Sequence, residues 1–109
     1  MHTYTIGDIV TWEASKYKRK VQHTGVVVYV VQDGITQRQA LEGYAARTNR
    51  TLSQLRDEEL VKMKENGTAR SRESYFVLED SPSAIGKPKL YHPVTIGLKP
   101  ADDAIQPQP

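Results

Sequence analysis

Val21-Gln22-His23-Thr24-Gly25-Val26-Val27-Val28-Tyr29-Val30-Val31 is the stretch on which the fold turns. Its second half is apolar at every position, with Val26, Val28 and Val30 on one side of an extended chain and Val27, Tyr29 and Val31 on the other. β-Branched side chains pack well on a pleated surface and lose rotamer freedom in a helix, so the segment reads as a strand. Apolar residues on both sides require cover on both sides. The strand is therefore either central between layers or part of a closed barrel with a further element outside it. Gly25 interrupts the pattern as a bulge or a barrel corner does. Asp33-Gly34 ends it with a strong turn signal.

Upstream, Tyr4 to Trp12 reads as a second strand, with Ile6, Val10 and Trp12 on one side and Ile9 and Thr11 on the other. Asp8 falls on the Ile6 side, where an unpaired buried carboxylate is costly, so Gly7-Asp8 is better read as a tight turn before the strand proper. Glu13 to Lys20 follows as a polar loop containing the one dense basic knot of the chain, Lys16, Lys18, Arg19 and Lys20 around Tyr17. Such a knot is either a solvated hairpin loop or a loop that meets phosphates.

Downstream the period changes to 3.6. Ala40, Leu41, Tyr44 and Ala45 share one arc between Thr36 and about Thr48, and Thr36 with Gln39 forms a capping-box pattern. Gly43 in the middle weakens the helix by about 1 kcal/mol against alanine. Thr51 with Gln54 repeats the capping signature, and Leu52, Leu55, Leu60 and Met63 share a face of a second helix that runs to a stop at Asn66-Gly67. Val61 lies opposite that face, and Arg47 and Arg50 sit close together at the turn between the helices.

Strand pattern resumes at Ser74 to Glu79, and the turn cluster Asp80 to Ser83 follows it. A short strand between Pro88 and Pro93 has the look of an edge, and Val94 to Leu98 of a last short strand or extended turn. The polar, proline-bearing end reads as a frayed tail over 100–109.

Composition bounds the rest. A chain of 109 residues with 38% hydrophobic residues, one Trp and one Phe fits one modest core, expected over 1–99 with the helices inserted at 35–72. The absence of cysteine excludes disulfides, thiolate nucleophiles and cysteine metal sites. Neither a basic leader nor an apolar run marks the N-terminus, and Val26 to Val31 is too short to cross a bilayer. The expected setting is cytoplasmic, in a bacterium or a phage-infected host cell, with no membrane partner. Fifteen basic against thirteen acidic residues give a net charge of +2, a weak nucleic-acid signal by itself. No phosphate loop, dinucleotide fingerprint or His-Glu-x-x-His pattern is present, so no catalytic or cofactor-binding residue is assigned. Three histidines are too few and too scattered for a metal site, although His23 and His92 can be imagined facing one another near Asp8. Trp12 is either the largest core residue or a base-stacking ring beside the basic loop, and Tyr29, Tyr75 and Tyr91 pose the same choice.

Together, Ile6-Gly7-Asp8-Ile9-Val10-Thr11-Trp12, Thr24-Gly25-Val26-Val27-Val28, Ser74-Tyr75-Phe76-Val77 and Leu90-Tyr91-His92-Pro93-Val94 resemble small SH3-like barrel proteins of bacteria and their phages. The resemblance implies a mainly β, α+β fold: a small, strongly bent barrel whose closure removes exposed edges, with a helical hairpin inserted. Such folds serve nucleic-acid and protein binding alike. The expectation is a non-enzymatic accessory module that binds another protein, a phage-encoded inhibitor of a host system among the options. The alternative is a nucleic-acid-binding domain. The residues expected to carry either role are Lys16, Tyr17, Lys18, Arg19, Lys20, Arg47, Arg50 and Val61.

Overall fold

The computed structural model describes residues 3–79 and 86–101. Six strands, β1 (Ile9–Lys16), β2 (Arg19–Val31), β3 (Leu60–Val61), β4 (Ser74–Glu79), β5 (Lys89–Tyr91) and β6 (Lys99–Pro100), form one sheet in the order β3-β5-β4-β2-β1-β6. Neighbours are antiparallel except β3 and β5, which run parallel. The sheet is open: its edge strands β3 and β6 lie at opposite ends of the order. This corrects the expectation of a strongly bent SH3-like barrel. A strand with two apolar faces needs two covering layers, and here separate elements supply them without closure.

One layer is helical. Helices α1 (Gln37–Arg47) and α2 (Leu52–Glu58) place Ala40, Leu41, Tyr44, Ala45 and Leu55 against Val31, Phe76 and Leu90 of the sheet. Both open with the capping boxes legible in the sequence, Thr36 with Gln39 and Thr51 with Gln54. The other face packs Val10, Trp12, Val27, Tyr75 and Val77 beneath Tyr4 and Leu98. Tyr4 fastens this second layer, its hydroxyl donating to the Leu98 carbonyl at 3.0 Å and its ring meeting Tyr75 edge-on at 5.3 Å.

The valine run does not keep one alternation. A bulge between Val27 and Tyr29 shifts the β2–β4 register. Two residues then oppose one, and the phase reverses. Val27 and Val30 consequently pack on the Tyr75 side, while Val28, Tyr29 and Val31 pack on the helix side. Gly25, read from sequence as a bulge or a barrel corner, is neither; its constraint is crowding, since a Cβ there would stand 2.6 Å from the Leu78 carbonyl oxygen.

Three boundaries also move. Gly7 takes a positive φ of 102° and the Asp8 carboxylate accepts the Thr5 N–H at 2.9 Å, so the turn reading holds. However, β1 begins at Ile9 and continues through the segment expected as a loop. The second helix stops at Glu58, because Glu59 is extended and the Leu60 N–H donates to Pro88 O at 2.8 Å in the parallel pairing with β5. Strand β5 is interior rather than an edge: it lies between β4 and β3, and its flanking prolines fall outside the three paired residues. Thr95–Gly97 form a 3-10 turn, and Pro100 is still paired, opposite Val10. The expected turn at Asp80 to Ser83 and tail over 102–109 lie outside the described residues.

Candidate functional site

The chain folds the basic knot into the tip of a projecting β-ribbon. β1 pairs with β2 from Ile9↔Val26 to Lys16↔Arg19, leaving a two-residue turn, Tyr17-Lys18, with positive φ at both residues (52° and 63°). That is the type I′ signature, whose twist matches the right-handed twist of paired strands. Support from other strands ends early: β6 reaches only Val10 and Thr11, and β4 meets β2 only from Val26 onward. Among the described residues, Glu13 to Gln22 therefore form a two-stranded arm beyond the rest of the sheet.

Tyr17, Lys18, Arg19 and Lys20 are all exposed, Tyr17 to 88%. Among the described residues, no carboxylate pairs with Lys18, Arg19 or Lys20. The arm thus presents uncompensated positive charge around an accessible ring. Lys16 is the last residue of β1, opposite Arg19.

The other expected site residues are not brought to this arm. Arg50 is drawn into the seam between α1 and α2. It donates to Glu58 at 2.9 Å, pairs with Glu59 at 2.7 Å and lies over the Tyr44 ring at 5.4 Å. The Tyr44 hydroxyl, 3.1 and 2.9 Å from the two Glu59 carboxylate oxygens, is held well above the ordinary phenol range by burial and then by the Glu59 charge. Arg47 is exposed in the last turn of α1. Val61 lies in β3, half-buried against the helical core and paired with Leu90, so it does not stand on a free helix face. Trp12 is buried, and of the tyrosines weighed for stacking, Tyr75 is buried while Tyr29 and Tyr91 are half-buried.

His23 and His92 occupy opposite faces of the sheet and do not meet. His23 Nδ1 lies 2.6 Å from Glu79 Oε2, with Trp12 stacked on its ring at 5.3 Å and Tyr91 tilted against it at 5.1 Å. Lys89 Nζ stands 3.7 Å from the other Glu79 oxygen. Strand alternation places His23 beside Trp12 and Val27, a signal the sequence contained. Its partner Glu79 becomes visible only with the β2–β4–β5 order.

His92 is buried, its Nε2 2.7 Å from Ser74 Oγ and its Nδ1 2.8 Å from Gln37 Oε1. An amide oxygen only accepts, so Nδ1 carries the proton and Nε2 accepts from the Ser74 hydroxyl. Burial, with the nearby Arg70 charge, depresses the imidazole pKa to about 3. This Ser–His–Gln chain imitates a nucleophilic triad, but Ser74 is wholly buried and no carboxylate backs the histidine. It fastens β4, β5 and α1 together. No group of three His, Asp or Glu able to hold a metal ion occurs among the described residues, and no described helix is long and apolar enough to cross a membrane.

Comparisons with protein-family models, with curated proteins and with solved structures found no match.

Proposed function

We propose that the protein binds a nucleic-acid backbone through the β1–β2 arm. The observation that carries this reading is the set of exposed cations Lys18, Arg19 and Lys20, unpaired with any described carboxylate, on a ribbon that no other strand flanks among the described residues. A two-stranded β-ribbon fits the major groove of a duplex, where side chains near its tip meet phosphates. Tyr17 adds an accessible ring for a base or sugar. The net charge of +2 is small, but the charge that matters is local.

The helical segment spends its apolar arcs inside the core and Arg50 inside the helix seam.

Fluorescence anisotropy with mixed-sequence DNA and RNA duplexes, run as a salt series, tests the proposal. Three phosphate contacts give a log–log slope of about −3 for DNA. The variant K18Q/R19Q/K20Q should bind at least about tenfold more weakly, with a slope near zero. Absence of binding near physiological salt sinks the reading.

One observation favours contact with a protein instead. Val94 and Ile96, 65% and 84% exposed, border a cavity of about 520 Å³ with Arg70, Arg72 and Thr95. A partner held there loses affinity for V94S/I96S and keeps it for the arm variant.

A further inference from the structure

At the end of β2 opposite the arm, the segment after β3 folds back beside the start of α1 and the residues following β5. It borders an open cavity of about 430 Å³, within the range of small-molecule sites. Gln37, Lys62, Lys64, Thr68, Arg70 and His92 line it, and among the described residues the lining holds three cations and no carboxylate. None of those cations pairs with a carboxylate elsewhere among the described residues.

Arg70 is the fixed member. Its Nη1 donates to the Pro93 carbonyl at 2.6 Å and its Nη2 to the His92 carbonyl at 2.7 Å. Both acceptors are neutral, so the guanidinium is held in place while its charge stays uncompensated and about three of its five N–H donors stay available. Burial alone lowers its pKa, with no opposing acid. The His92 N–H holds the Gln37 amide oxygen, which leaves the amide nitrogen to donate elsewhere. That nitrogen occupies the space a side chain at Gly67 would fill, 2.4 Å from a Cβ built there.

We propose that this cavity binds a phosphomonoester, its phosphate held by Arg70, Lys62 and Lys64, with the Gln37 amide as a neutral donor. An immobilised guanidinium suits a tetrahedral oxyanion, since its donors are already oriented. The cavity exceeds a bare phosphate, so the ligand carries a further group. The site lies at the opposite end of β2 from the arm and stands independently of nucleic-acid binding there.

The test is an amide chemical-shift titration at constant ionic strength with inorganic phosphate, ribose 5-phosphate and a short oligonucleotide lacking terminal phosphates. Ribose 5-phosphate should give saturable shifts confined to Gln37, residues 62–70 and His92, with inorganic phosphate weaker at the same amides. Arg70 also ties the loop, so the decisive variant is K62Q/K64Q, whose two lysines are exposed. It should keep the fold and weaken ribose 5-phosphate at least about tenfold, as expected for two charge-assisted contacts. The arm variant K18Q/R19Q/K20Q should leave this titration unchanged. Shifts that stay linear, shifts shared by the arm, tighter saturation by the oligonucleotide, or unaltered affinity in K62Q/K64Q each overturn the proposal.

Discussion

The Tyr44 hydroxyl donates to Glu59 across the junction of α1 and β3, meeting both oxygens of a carboxylate that is only 5% exposed. Arg50 completes the set at 2.7 Å. A buried carboxylate is tolerated only while its partners remain, because the loss of one leaves the others desolvated and unpaired. Glu59→Ala should therefore destabilise the fold by about 3–5 kcal/mol. Tyr44→Phe should cost about 1–2 kcal/mol. Glu58→Gln, at an exposed carboxylate that also meets Arg50, should stay within about 0.5 kcal/mol. Urea unfolding of the three variants ranks them, and equal losses at Glu58 and Glu59 would contradict the burial argument.

Gly43 sits in mid-helix, where alanine ordinarily gains about 1 kcal/mol. Here the Tyr29 hydroxyl oxygen lies 2.2 Å from the position of an added Cβ, and the ring carbon bearing it lies at 3.0 Å. Gly43→Ala should accordingly destabilise the protein by about 1–3 kcal/mol, the usual effect of overpacking. Combined with Tyr29→Leu, the substitution should cost less than it does alone, since the two sites share one contact. An additive double mutant in thermal melts sinks this account.

That pair also shows where sequence reading stops. The two capping boxes, the Gly7-Asp8 turn and the need for apolar cover on both sides of Val26 to Val31 were legible, because caps, turns and composition are local chemistry, whereas the bulge that reassigns the faces was not. The layer that covers those faces was not legible, because a closed barrel and a helix-covered open sheet impose the same demand on a central strand. Leu60 and Met63 continue the helical spacing of Leu52 and Leu55. The parallel pairing of Leu60 and Val61 with Lys89 and Leu90 overrides it, and that pairing spans 29 positions of sequence. At the arm the hairpin was legible and its extent was not, since nothing in Tyr17-Lys18 announces a two-residue type I′ turn with strands running up to it. In the cavity, Arg70 is one of two arginines in Arg70-Ser71-Arg72, and only the backbone after β5 singles it out.

His92 gives the fold an acid dependence. Its folded pKa of about 3 lies below the ordinary value of 6.5, so protonation favours the unfolded chain. The contribution is complete above pH 6.5, falls by about 1.4 kcal/mol per pH unit as the pH drops below that, and levels off near pH 3. Urea midpoints measured from pH 7 to pH 4 should decline accordingly. His92→Gln should be less stable at pH 7, through the lost Ser74 and Gln37 bonds, and should show a shallower decline. An identical slope in the variant would place the acid sensitivity elsewhere.

The turn at the tip of the arm sets stability against binding. Tyr17 and Lys18 both adopt positive φ, a region that costs a residue with a Cβ about 1–2 kcal/mol and that Asn-Gly enters far more readily. Tyr17→Asn with Lys18→Gly should therefore raise the unfolding free energy by about 1–2 kcal/mol, and because no described strand flanks the arm beyond Thr11 and Val26, the gain should appear as slower amide exchange in residues 13–22. The same change removes an exposed ring and a cation from the tip. If the arm meets a nucleic-acid backbone, affinity should fall several-fold and the salt slope should lose about one unit even as the hairpin becomes more ordered. A general ordering role for these residues predicts the opposite, tighter binding by a better-formed arm. Measuring exchange and the salt slope on the same double variant separates the two, since only a direct contact lets stability rise while affinity falls.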